Sequence, residues 1–241
     1  MEIKGLGFIP LFMALWCMVW ISTSYTITII QGHTTSPLIY ISDMGVFFPE
    51  QIPFCMGFIG MAIASVGLAW LNYRFILFHR EAFGPRQPLI QKTLLVIAWS
   101  SCVMTVIMSL FSTTDYPMIH RIAAIATFIC AGIYNMWQSI LLYKVPGASR
   151  VICHVRAIFS SMALACVFLI IGTGFVVYIQ LFAGECEEMI EAFVKIIEWS
   201  ILVLILLTNV TFYSIMEHLL FTMSRNTCSI SLRVRIDAFG V

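Results

Sequence analysis

Six long apolar runs separated by short polar segments organise this chain of 241 residues. A helix needs about 20 residues at 1.5 Å each to cross a hydrocarbon core. The runs therefore predict spans near residues 6–30, 53–77, 89–111, 119–142, 154–182 and 194–222. Lys4 precedes the first run, as in a secretory leader, yet the run exceeds the roughly 7–15 apolar residues of a leader and reads as a retained span. The stretch Tyr40-Ile-Ser-Asp-Met-Gly-Val-Phe-Phe-Pro-Glu-Gln-Ile-Pro53 breaks the pattern. It holds Asp43 and Glu50, a glycine at 45 that can take positive φ, and prolines at 49 and 53 that argue against regular helix. Unsatisfied backbone groups in lipid cost several kcal/mol each, so this stretch is expected to be a water-side loop or packed against protein.

Composition turns the runs into a class. The chain is 61% hydrophobic and 10% charged, with a mean hydropathy of +0.97, whereas soluble domains carry about 25% charged residues. The expected fold is all-α: a polytopic membrane protein with six transmembrane helices in one bundle, a single domain over residues 1–241. No linker or low-complexity segment suggests a second domain. The net charge of +1 is spread over short segments, which excludes a nucleic-acid-binding face. Internal repeats typical of secondary transporters are not evident.

The basic residues give an orientation. Lys4, Arg74, Arg80, Arg86, Lys92, Lys144, Arg150, Arg156, Arg225, Arg233 and Arg235 fall on the side of the termini, and only Arg121 and Lys195 on the other. Short cytoplasmic segments are enriched in Lys and Arg, so both termini are expected in the cytosol. Asp43, Glu50, Asp115, Glu185, Glu187, Glu188 and Glu191 then share the far side with the Tyr40–Pro53 stretch.

Ionisable and polar residues inside spans are the first places to look for function. Glu198, followed by Trp199, opens the sixth span, with Lys195 one turn earlier as a local ion-pair partner and Arg121 as an alternative. Tyr134 and Gln138 share a face of the fourth span at i, i+4 spacing beside Gly132, which suits interhelical hydrogen bonding, and Asn209 reads the same way. His33, Asp115, His120 and Glu198 have no HExxH, nucleophile-elbow or metal-ligand spacing. No catalytic residue, cofactor site or metal site is assigned. Cys55 and Cys186 lie near the far surface, where an oxidising compartment permits a disulfide tying the two loops together. Cys153 and Cys228 sit beside the membrane among basic residues, where palmitoylation competes with free thiols.

Taken in order, several of these residues resemble a known family. Tyr40-Ile-Ser42-Asp43-Met-Gly45 followed by Pro49-Glu50, then His120, then Gly132, Tyr134 and Gln138, then Glu198-Trp199-Ser200, and Ile230-Ser-Leu-Arg-Val234 are similar to the damage-regulated autophagy modulator family. The resemblance implies a six-span protein of lysosomal membranes that promotes autophagy, influences cell death and has no established reaction. Its partners would be membrane lipids and proteins of the autophagy or lysosomal machinery. A departure is Gln51-Ile-Pro-Phe-Cys55, since the family commonly has its cysteine closer to Pro-Glu. The competing reading is a lipid-organising or phosphoinositide-signalling scaffold at the plasma membrane or another endomembrane, with a small-solute or lipid transporter third.

Overall fold

The computed structural model describes residues 8–34, 36–78, 87–144, 149–180 and 189–211, apart from the side chains at 75, 78 and 175–180. Among these residues the only regular structure is helical. In chain order the helices are α1 (Phe8–Ile30), α2 (Gln51–Phe78), α3 (Gln87–Leu110), α4 (Pro117–Leu142) and α5 (Arg150–Gln180). A further helical stretch, α6, covers residues 189–211. Helices α1 to α5 are each long and apolar enough to cross a membrane, so the chain is a polytopic helical membrane protein.

Three of the differences from the expected boundaries have a local reason. Pro53 lies inside the first turn of α2, where its missing N–H would have had no helical partner anyway. Arg150 and Cys153 belong to α5, which begins four residues before the expected 154. Helix α6 is already formed at 189, and its first turns are tied by a 2.6 Å ion pair from Lys195 Nζ to Glu191 Oε1. The segment 228–237 and Cys186 lie outside the described residues.

Successive helices pack against one another from α1 through α5. At the end bearing the Tyr40 loop, the core joins Cys17 and Ile21 of α1, Phe54 and Phe58 of α2, Met108 of α3, Ala123 of α4 and Leu202 of α6. At the opposite end Met13, Leu68, Leu142 and Cys153 form a second cluster. Cys153 is wholly buried there, which replaces the expected juxtamembrane thiol with a packing residue.

Water is absent from a hydrocarbon core, so polar side chains there must find each other. Asn72 Nδ2 donates to Tyr134 Oη at 3.1 Å, linking α2 to α4. Gln138 Nε2 donates to Gln91 Oε1 at 3.2 Å, linking α4 to α3. The hydroxyls of Ser139 and Ser160 lie 3.0 Å apart between α4 and α5. The i, i+4 pair read from the sequence thus bonds two different neighbours. Beside it, a Cβ on Gly132 would come within 2.8 Å of Leu164 Cδ1, so the missing side chain lets α5 approach.

Glycine has a stronger role between α1 and α2. The Trp16 indole lies across Gly60 and donates from Nε1 to the Met56 carbonyl at 2.9 Å, and a Cβ at 60 would fall 2.1 Å from that nitrogen. Gly60→Ala is expected to displace the ring and lose the bond, lowering stability by about 1–2 kcal/mol. A thermal melt of the purified protein, with Trp16→Phe as the comparison, checks this.

Candidate functional site

The Tyr40–Pro53 stretch is predicted as a water-side or protein-packed loop, and its position is set by three apolar side chains. Ile39, Ile41 and Met44 are almost completely buried in the core at that end of the bundle. Each such side chain taken from water contributes about 1.5–3 kcal/mol, enough to hold the loop as a plug between the helices. Residues Ser42–Gly45 form a short 3₁₀ turn. Gly45 lies against the ring of Phe54, where a Cβ would approach to 2.7 Å. Its need is therefore space. The glycine with positive φ among the described residues is Gly32.

Hydrogen bonds from two other helices hold the plug. Glu198 Oε2 accepts the Ile41 N–H at 2.9 Å. Next to it, Trp199 Nε1 donates to the Ile39 carbonyl at 2.9 Å. The Tyr25 hydroxyl of α1 donates to the Pro37 carbonyl at 2.8 Å, and its ring meets Trp199 edge-on at 6.1 Å. Ser24 Oγ donates to the Glu50 carbonyl at 2.8 Å, with the Met44 carbonyl at 3.3 Å. The ion-pair expectation for Glu198 is corrected here. Lys195 is engaged by Glu191 and also sits 5.1 Å from the Tyr40 ring centroid, a cation–π distance, while Glu198 turns to the loop backbone. The loop itself feels this crowding. Burial, followed by the charges of Glu191, Glu198 and Asp43, pushes the Tyr40 phenol up to about 12, and burial raises the Asp43 carboxyl against the lowering effect of Lys195.

The other predicted residues separate into distinct roles. Glu50 is fully buried, with Oε1 2.5 Å from His33 Nδ1, a pairing that no spacing in the chain singles out. Its Oε2 has no hydrogen-bond partner among the described residues. Pro49 follows a cis peptide bond. His120, also buried, donates from Nδ1 to the Phe111 carbonyl at 2.8 Å and fastens the α3–α4 turn. Asp115 closes the same turn by accepting from the Ser112 hydroxyl at 2.7 Å. The Cys55 thiol is free and donates to the Ser109 carbonyl at 3.0 Å. No group of three His, Cys, Asp or Glu side chains suited to a metal ion occurs among the described residues.

Beneath the plug lies an interior cavity. Ile41, Ser42, His120 and Glu198 line its upper end, and Asn72, Tyr134, Arg156 and Asn209 its lower end. Alanines 62, 69, 98 and 131 contribute to the wall between, where their small side chains leave room. About 130 Å³ is open to the centres of water-sized molecules, against the 10–15 Å³ one water requires. Arg156 is a buried residue that the sequence reading did not single out. Counted among the basic residues of the terminal side, it is 2% exposed and donates from Nη1 to the Thr208 carbonyl at 2.7 Å. Its place inside an apolar run was the available signal.

Trp199→Phe is expected to remove one buried hydrogen bond, lowering stability by about 1 kcal/mol. Amide exchange at residues 39–41 should rise while exchange in α3 stays unchanged.

A polytopic helical bundle whose inter-helix loop plugs one end of an interior cavity defines the class of this protein. The chain belongs to the Frag1/DRAM/Sfk1/Cwh43P N-terminal domain family, whose model matches residues 5–217. It is 28% identical over 169 residues to DNA damage-regulated autophagy modulator protein 1 of Mus musculus, covering 68% of this chain and 70% of the relative. The Xenopus laevis protein of the same name is 30% identical with the same coverage. DNA damage-regulated autophagy modulator protein 2 of Mus musculus is 30% identical over 145 residues, covering 58% of this chain and 52% of the relative. No solved structure matches the chain.

Proposed function

We propose that the protein is a non-enzymatic multi-pass modulator of autophagy in lysosomal membranes, with both termini cytosolic and the plug facing the lumen. The observation that carries the autophagy reading is family membership, with relatives named as autophagy modulators that align with about two thirds of the chain. Geometry supports the non-enzymatic part. Of the acid and base side chains weighed from the sequence, Glu198 holds the Ile41 N–H, His120 holds the Phe111 carbonyl, Asp115 accepts from the Ser112 hydroxyl within its own turn, and His33 pairs with Glu50. None of these bonds sets a base against a nucleophile. The orientation is supported by the asymmetry of Lys and Arg.

Tagged protein is expected to coincide with a lysosomal marker, and its depletion to change autophagic flux during starvation. Unaltered flux together with a plasma-membrane location would overturn the reading in favour of a lipid-organising scaffold.

A further inference from the structure

We propose that a cleft between the plug and the α3–α4 turn binds a primary ammonium group, carried by a small free amine or by a phospholipid head. His33, Asp43, Phe47, Thr113 and Thr114 line this cleft, and about 270 Å³ of it is open to the centres of water-sized molecules. A water's share of liquid volume is about 30 Å³, so a group of several heavy atoms can enter. Among the described residues no Lys or Arg lines the cleft, and its charge therefore suits a cation.

A primary ammonium has three donors and no acceptor, and the cleft offers acceptors from three parts of the chain. Asp43 brings a carboxylate with about four acceptor sites, toward which the Tyr40 N–H is directed. Burial raises the Asp43 carboxyl more than Lys195 lowers it, and Glu191 adds to the negative potential. The Lys195 ammonium is itself committed to Glu191 at 2.6 Å, so a bound cation supplies charge that the protein leaves unmatched. His33 brings the second acceptor. Its Nδ1 lies 2.5 Å from Glu50 Oε1; a carboxylate only accepts, so Nδ1 carries the proton and the neutral ring keeps a lone pair on Nε2. That nitrogen has no hydrogen-bond partner among the described residues. Glu50 is fully buried beside the ring, and its Oε2 has no hydrogen-bond partner among the described residues, so its charge adds to the attraction for a cation. Thr113 and Thr114 bring hydroxyls from the α3–α4 turn. The Phe47 ring, 50% exposed and 4.8 Å from the His33 ring between centroids, offers an aromatic face, which attracts an ammonium further. A trimethylammonium head has the charge but none of the N–H donors that this set of acceptors reads.

The full-length protein in phosphatidylcholine nanodiscs is photolabelled with a propylamine carrying a diazirine. Crosslinks are expected on Phe47 and Thr114, and Asp43→Asn is expected to weaken labelling about tenfold, the effect of losing one charge-assisted bond. Thr114→Trp provides a second test. It fills the cleft from an exposed position, keeps Asp43 and His33, and is expected to abolish labelling with elution and melting unchanged. Ethanolamine should compete and choline should not. Replacing part of the phosphatidylcholine by phosphatidylethanolamine separates the two sources: protection from labelling assigns the lipid head, and undiminished labelling assigns a free amine; both support the site. Competition by choline or by glycerol equal to that by ethanolamine, or labelling indifferent to both Asp43→Asn and Thr114→Trp, would overturn it.

Discussion

Glu198→Leu is expected to release the plug, lowering stability by about 2–3 kcal/mol and the melting temperature by roughly 5–10 °C. The substitution removes the acceptor for the Ile41 N–H and leaves that donor buried beneath the loop, where an unsatisfied group loses its full solvation. Amide exchange should rise across residues 39–45 together, because the turn is held as a unit. Glu198→Gln keeps a carbonyl oxygen at the same position and is expected to retain most of the stability. This pair of variants distinguishes hydrogen bonding from charge. If glutamine were as damaging as leucine, the account of Glu198 as a backbone acceptor would fail, and a charged partner would have to be sought instead.

Gly45→Val should be comparably severe for a different reason. A Cβ at this position meets two carbons of the Phe54 ring at 2.7 Å. That ring is 2% exposed and lies tilted against Phe58 with ring centroids 4.8 Å apart, so it has little room to yield. Overpacking of this sort lowers stability by about 1–3 kcal/mol, and a branched side chain belongs at the upper end. Phe54→Leu should recover part of the loss in the double variant while being destabilising alone. A cycle of the four proteins, followed by thermal melts, measures that coupling; strict additivity would mean the two residues do not meet.

The helices were legible because the hydrocarbon core imposes one rule on every span, a run of apolar residues about 20 long. Boundaries of α2, α3 and α4 fall within two residues of expectation, since polar turns mark them. The start of α5 was less legible. A helix can continue past the membrane edge through Arg150 and Cys153, where hydropathy no longer reports on it. Side-chain pairing was only partly readable. Spacing on α4 placed Tyr134 and Gln138 on one face, but their partners Asn72 and Gln91 lie on helices whose rotation no local pattern specifies. The same limit hid the His33–Glu50 pair and misdirected Lys195. An i, i+4 ion pair was available to it at Glu191, and sequence alone favoured the nearer Glu198. For Gly45 the residue type was informative and the reason was not, because glycine serves equally for positive φ and for close approach.

Two of the contacts that seat the plug join residues 157 and 160 positions apart in the chain. During synthesis the loop emerges between the first two helices, while the side chains that fasten it emerge with the last. A nascent protein lacking α6 therefore holds Ile39, Ile41 and Met44 through the α1 bonds of Ser24 and Tyr25 alone.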